Sequence, residues 1–132
     1  MQYTIVIKSK YGGTPPAIYN RPDIVVWYKD KKECKIIDIC VPLDVNVAKD
    51  EKEKRDKYLV LAAGLKRIYE EYSFQIIPIV IGATGYVPKS LKTNLLECGF
   101  DLEKSRNLIP DLQRKALRGT MKVIKTSALK MR

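Results

Sequence analysis

The chain reads as a mixed α/β domain: a small mixed sheet with an antiparallel hairpin, flanked by helices. Two β-branched runs separated by a polar turn, Ile24–Tyr28 and Cys34–Val41, predict the hairpin. A 3.6-residue apolar repeat between about Val47 and Tyr72, carried by Tyr58, Leu61, Ala62, Leu65, Ile68, Tyr69 and Tyr72, predicts a long helix. Phe74–Ile81 then returns to strand composition.

The remaining elements follow in order. Tyr3–Ile7 alternates weakly and predicts a first strand, ended by Tyr11-Gly-Gly-Thr-Pro-Pro16, a loop that neither a helix nor a central strand tolerates. Lys29-Asp-Lys-Lys-Glu33 makes the hairpin turn and Pro42 ends its second strand. Pro78 places its part of the next strand at an edge or bulge, because proline has no N–H for a central ladder. Gly82-Ala-Thr-Gly85 breaks the chain, and a short amphipathic helix covers about Lys89 to Glu97. A last helix is predicted from near Pro110, a favourable first-turn residue, to about Leu129, with Leu112, Ala116, Leu117, Met121 and Ile124 on one side.

With 132 residues, 45% hydrophobic and 30% charged, one hydrophobic core accounts for the chain. The expectation is a single domain over 1–132, its core at about 20–85 and a basic helical part at about 89–132. Lys and Arg number 25 against 15 Asp and Glu, a formal charge of +10. That excess favours an anionic partner, with nucleic acid ahead of a membrane surface. No apolar run reaches the roughly 18 residues of a membrane span, so no membrane partner is expected. The sequence contains 0 histidines, which excludes Ser-His-Asp triads, imidazole acid–base catalysis and Cys2His2 zinc sites. Three cysteines, Cys34, Cys40 and Cys98, lack metal-cluster spacing and point to a reducing, intracellular compartment.

What chemistry remains belongs to carboxylates and lysines. Arg21-Pro-Asp23 is separated from Asp38, in Ile36-Ile-Asp-Ile-Cys40, by 14 intervening residues. A hairpin turning about Asp30-Lys31 pairs residues whose numbers sum to 61, which sets Asp23 opposite Asp38 on one face, with Cβ atoms roughly 4.5–5.5 Å apart. Like charges so placed destabilise a sheet unless a cation or a shared proton relieves them. An all-oxygen pair without histidine suits Mg²⁺ or Mn²⁺ better than zinc. The plain alternative makes Asp23 a strand-entry residue and Asp38 a partner of a neighbouring loop. On the long helix, Lys54 falls in line with Tyr58, Leu61 and Leu65, with Glu51 and Lys57 on the margins of that stripe. A lysine there must snorkel outward or meet an anion, and the ordinary alternative is a solvated, charged first turn.

Together these segments resemble the PD-(D/E)XK nuclease superfamily, and more narrowly the restriction-like endonuclease domain at the C-terminus of site-specific non-long-terminal-repeat retrotransposon polyproteins. Asn20-Arg-Pro-Asp-Ile-Val25, Ile37-Asp-Ile-Cys-Val-Pro42, Glu53-Lys-Arg-Asp-Lys-Tyr58 and Ile77-Pro-Ile-Val-Ile-Gly82 carry the likeness, which is fullest over about Asn20 to Gly85. It implies a restriction-endonuclease-like core and a Mg²⁺ (or Mn²⁺) site made by Asp23 and Asp38. It also implies a catalytic lysine on the helix, Lys54 or Lys57, and nicking of target DNA to supply a primer for reverse transcription in the nucleus. Cys40 stands where the superfamily pattern has its lysine, a migration to the helix that the narrower family shows. Glu33-Cys-Lys35 has the right letters but lies roughly 17 Å, five strand residues, from Asp23. Pro110-Asp111 reads as a helix start. Full relatives carry an upstream reverse transcriptase, whose Tyr/Phe-x-Asp-Asp signature is absent from these residues.

Two further features bear on binding. Arg114, Lys115, Arg118, Lys122 and Lys125 give the last helix a basic surface suited, with Arg21, to a DNA or RNA phosphate backbone; solubility is the plain alternative. Gly82-Ala-Thr-Gly85 offers backbone N–H groups after a strand but lacks the ending of a phosphate loop, so a strand-exit turn is the favoured reading. The competing functions are a catalytically inactive nucleic-acid-binding fragment of a retroelement polyprotein and a resolvase-like nuclease acting on branched DNA.

Overall fold

The computed structural model describes residues 3–7 and 22–130. The expected Tyr11–Pro16 loop and Arg21 lie outside the described residues. The order is β1 (Tyr3–Ile7), β2 (Ile24–Tyr28), β3 (Glu33–Cys40), a 3-10 turn at Asp44–Asn46, α1 (Val47–Ile68), β4 (Ser73–Val80), α2 (Ser90–Glu97) and α3 (Leu102–Lys130). The fold is mixed α/β, with one four-stranded sheet in the order β1-β2-β3-β4. β1 runs antiparallel to β2, and β2 to β3. The Ser73 N–H bonds the Lys32 carbonyl and the Ile81 N–H bonds the Cys40 carbonyl, a constant offset that makes β3 and β4 parallel. Pro78 sits in the edge strand, where a missing N–H breaks no inner ladder.

The chain forms two compact units, one comprising residues up to Ile39 with Lys52–Pro78, the other Cys40–Glu51 with Ile79–Arg132. The first has a core of Cys34, Ile36, Tyr58 and Ala62, with Val25, Trp27, Leu61, Leu65, Phe74 and Ile76 packed around it. Alternation explains the membership: Val25 pairs with Ile36 and Trp27 with Cys34, so one face of the hairpin meets the apolar stripe of α1. Burial pushes the Cys34 thiol up to about 12. Because the unfolded thiol ionises near 9 and the folded one does not, that contribution to stability is intact below pH 9 and declines as pH rises toward 12. Denaturant titrations across this alkaline range should show a loss that is smaller in Cys34→Ala.

α1 ends at Ile68, four residues short of the expected Tyr72. The Lys66 ammonium binds the Glu70 and Tyr72 carbonyls at 2.5 and 2.6 Å, satisfying acceptors beyond the last turn. The released Tyr69 and Tyr72 rings then pack on Trp27, at centroid distances of 5.0 and 5.3 Å.

In the second unit α3 begins at Leu102, not near Pro110, which lies inside the helix. Asp101 supplies the start: its Oδ1 accepts the Lys104 N–H at 2.7 Å, an N-cap bond. The N–H that Pro110 lacks would have met the carbonyl of Arg106, an exposed residue. Leu112 and Ala116 turn inward as expected, whereas Leu117, Met121 and Ile124 are exposed, a correction to the single apolar side read from spacing. Ser105 is fully buried on α3, and its hydroxyl has no hydrogen-bond partner. Ser105→Ala should therefore stabilise the fold by about 1 kcal/mol, since it removes an unsatisfied hydroxyl and improves helix propensity. A rise in the thermal midpoint of roughly 4 °C is the expected reading.

Candidate metal and phosphate site

The hairpin loop is Lys29–Lys32, and Lys32 adopts φ of 55° to close it. Its symmetry fixes the register, from Tyr28↔Glu33 to Ile24↔Ile37. One step further sets Asp23 against Asp38, where side chains take over from backbone rungs. The Asp23 N–H donates to Asp38 Oδ1 at 3.1 Å, and the Ile39 N–H donates to Asp23 Oδ2 at 2.8 Å. Each carboxylate is thus braced by a backbone amide on the opposite strand, and each bonded oxygen keeps a second lone pair.

Asp38 is 5% exposed, so its charge needs a partner. Lys54 provides one: its Nζ lies 3.0 Å from Asp38 Oδ2, and its side chain is 31% exposed. The helix holds that lysine in place. Tyr58, one turn later, is 1% exposed in the core, and Arg55 Nη1 donates to the Ile76 carbonyl of β4 at 3.3 Å. Asp23, Asp38 and Lys54 all belong to the first compact unit.

Lys57, the other candidate, stands with its ammonium 5.1 Å from the centre of the Tyr58 ring, a cation–π position. The structure thus brings Asp23, Asp38 and Lys54 together and assigns the contact with Asp38 to Lys54. What spacing could not foresee is the bracing by the amides of Asp23 and Ile39, because it exists only where the ladder ends.

Among the described residues no three Asp, Glu or Cys side chains converge. Calcium, which takes six to eight oxygens, is a poor match; Mg²⁺ keeps several waters and is bound through one or two carboxylates plus substrate phosphates. Asp23 and Asp38 fit that pattern.

The Gly82–Gly85 segment is excluded as a phosphate cradle because its amides are already used. The N–H groups of Gly82, Ala83 and Gly85 donate to the carbonyls of Tyr86, Pro42 and Gly82. The Thr84 N–H donates to Asp44 Oδ1 at 3.1 Å, and the Thr84 hydroxyl to Asp44 Oδ2. A Cβ at Gly82 would collide with the Asp44 carboxylate and come within 2.8 Å of Tyr86 Cβ. Gly82→Ala should cost about 1–3 kcal/mol in a urea titration.

In the second unit, Arg114, Lys115, Arg118, Lys122 and Lys125 are all exposed on α3. Arg114 is paired with Asp111 one turn earlier. No helix among the described residues is long and apolar enough to cross a membrane. Comparison with known proteins found no match among protein-family models, curated proteins or solved structures.

Proposed function

We propose that the chain is a divalent-metal-dependent DNA endonuclease domain of the retrotransposon restriction-like type, nicking target DNA to prime reverse transcription. The observation that supports this reading most is the convergence of Asp23, Asp38 and Lys54 at the open end of the hairpin. The likeness of the surrounding segments to PD-(D/E)XK nucleases agrees with it. Nuclear DNA is then the target, and an upstream reverse transcriptase in a longer polypeptide uses the new end.

Asp23 and Asp38 would hold Mg²⁺ or Mn²⁺, with the two backbone amides fixing their orientation. When bound, the ion supplies Lewis-acid stabilisation of a phosphoryl oxygen and a more acidic water. Lys54, at 3.0 Å from Asp38 and partly open to solvent, would donate to the scissile phosphate or orient the attacking water. The basic residues of α3 would contact the phosphate backbone without reading sequence, and Arg21 is proposed for the same task.

A second reading, an inactive nucleic-acid-binding fragment, is favoured by one observation: Lys54 already neutralises the buried Asp38, as a purely structural ion pair would. A plasmid-nicking assay with and without Mg²⁺ or Mn²⁺ separates the two. Metal-dependent conversion of supercoiled to open-circular DNA supports the nuclease. Salt-sensitive binding with no nick under either metal supports the inactive module. Faster cleavage of a branched duplex than of a linear one would identify a resolvase-like activity.

A further inference from the structure

Leu117, Met121 and Ile124 form an uncovered apolar stripe on α3, at 43%, 50% and 56% exposure. Their successive spacings of four and three residues confine them to an arc of about 60° at ~100° per residue. This is the a/d spacing of a coiled-coil seam, narrower than the apolar face of a helix packed on a core.

The two flanks differ. On one side Ala116 is buried, the Thr120 hydroxyl donates to the Ala83 carbonyl, and Gln113 Nε2 donates to the Gly85 carbonyl at 2.9 Å. This loop walls the stripe, since a methyl group at Gly85 would lie 3.7 Å from Leu117 Cδ1. On the other side Arg118 and Lys125 each follow a seam residue at the e position, with Lys122 behind them. An open hollow of about 390 Å³ is lined by Leu117, Arg118, Met121, Lys122 and Lys125.

We propose that this face docks an acidic amphipathic helix of a protein partner, one with apolar residues at a/d spacing and Glu or Asp beside them. Charge complementarity selects that occupant: the e positions of a seam set partner choice, and here both are basic. A second copy of this chain would bring Arg118 and Lys125 against like charges in the antiparallel arrangement. In the parallel one Arg118 would face Gln113 and Lys125 would face Thr120, and neither would gain a charge partner. A bilayer favours a broad apolar face with aromatic residues, whereas this stripe is narrow and no aromatic follows Phe100. Duplex DNA would use the cations and leave three apolar side chains against a hydrophilic backbone. Met121 suits a seam that must adapt to its partner. The inference does not rest on the nuclease reading, whose acids and lysine belong to the other compact unit, but it assigns Arg118, Lys122 and Lys125 to a protein partner in place of the phosphate backbone.

The test uses the full chain and a fluorescent synthetic peptide of about three heptads with Leu at a and d and Glu at e and g. Anisotropy should show saturable binding, with a scrambled peptide of the same composition at least about tenfold weaker. Met121→Ser with Ile124→Ser should weaken binding by a similar factor. Arg118→Glu with Lys125→Glu should reverse the preference toward a peptide carrying Lys at e and g. The substituted residues are exposed, so thermal midpoints should stay unchanged; the two peptides on the parent chain decide the matter if they do not. Equal binding of the scrambled peptide overturns the proposal, as does no binding. It is equally overturned if the serine variant binds the peptide normally but loses affinity for duplex DNA or for phosphatidylserine vesicles.

Discussion

Asp38→Asn is expected to lower Mg²⁺-dependent nicking by at least about a hundredfold while leaving retention of DNA at low salt unchanged. Loss of a partner one shell removed from a metal already costs ten- to a hundredfold, so loss of a ligand should cost no less. Asparagine keeps an oxygen for the Asp23 N–H, now at 3.1 Å from Asp38 Oδ1, and so preserves the brace between the strands. What it removes is the charge that Lys54 meets at 3.0 Å and that a hard cation requires. Since Lys54 is partly exposed, its ammonium can turn to water and the stability loss should be small. Agarose assays of plasmid conversion and filter retention of labelled duplex measure the two quantities. Equal nicking by parent and variant would remove the nuclease reading.

Tyr58→Ala should have the largest effect on stability, about 3–5 kcal/mol in chemical denaturation. Tyr58 is 1% exposed at the centre of the first unit's core, against Cys34, Ile36 and Ala62. Of the neighbours it would leave behind, Cys34 and Ile36 are held in β3 and Ala62 has only a methyl group, and these collapse poorly into a void. Such a loss is a large share of the 5–15 kcal/mol that holds an ordinary domain folded. The same truncation frees the helical turn bearing Lys54, so cleavage should fall in the variant even where it remains folded. A change below about 1 kcal/mol would show that the core lies elsewhere.

The hairpin and its two acids were legible in the chain because they depend on short-range information. The Ile24–Tyr28 strand and the turn centred on Asp30-Lys31 are found where composition places them, and the observed register sum of 61 carries Asp23 to Asp38. Lys54 was legible for a similar reason: its phase with Tyr58, Leu61 and Leu65 is a property of the helix alone. The misread boundaries depend on distant or competing contacts. Tyr69 and Tyr72 continue the 3.6-residue repeat, but they leave the helix for Trp27, 42 and 45 positions earlier. Pro110 has the look of a first-turn residue, and the stronger start signal was Asp101 eight residues before Ile109. The occupant of the Thr84 amide, Asp44, stands 40 residues away, where no local pattern points to it.

Arg55 has a bearing on solution behaviour as well as on anchoring α1. A strand at the rim of a sheet offers a template on which another molecule can grow. In β4 that template is interrupted twice within three residues: the Ile76 carbonyl is occupied by the guanidinium, and Pro78 has no hydrogen to give. Fibril-like stacking through this border is therefore blocked in the folded chain. Arg55→Ala would unmask a carbonyl there, so slow turbidity and thioflavin response at high protein concentration should distinguish that variant from its parent.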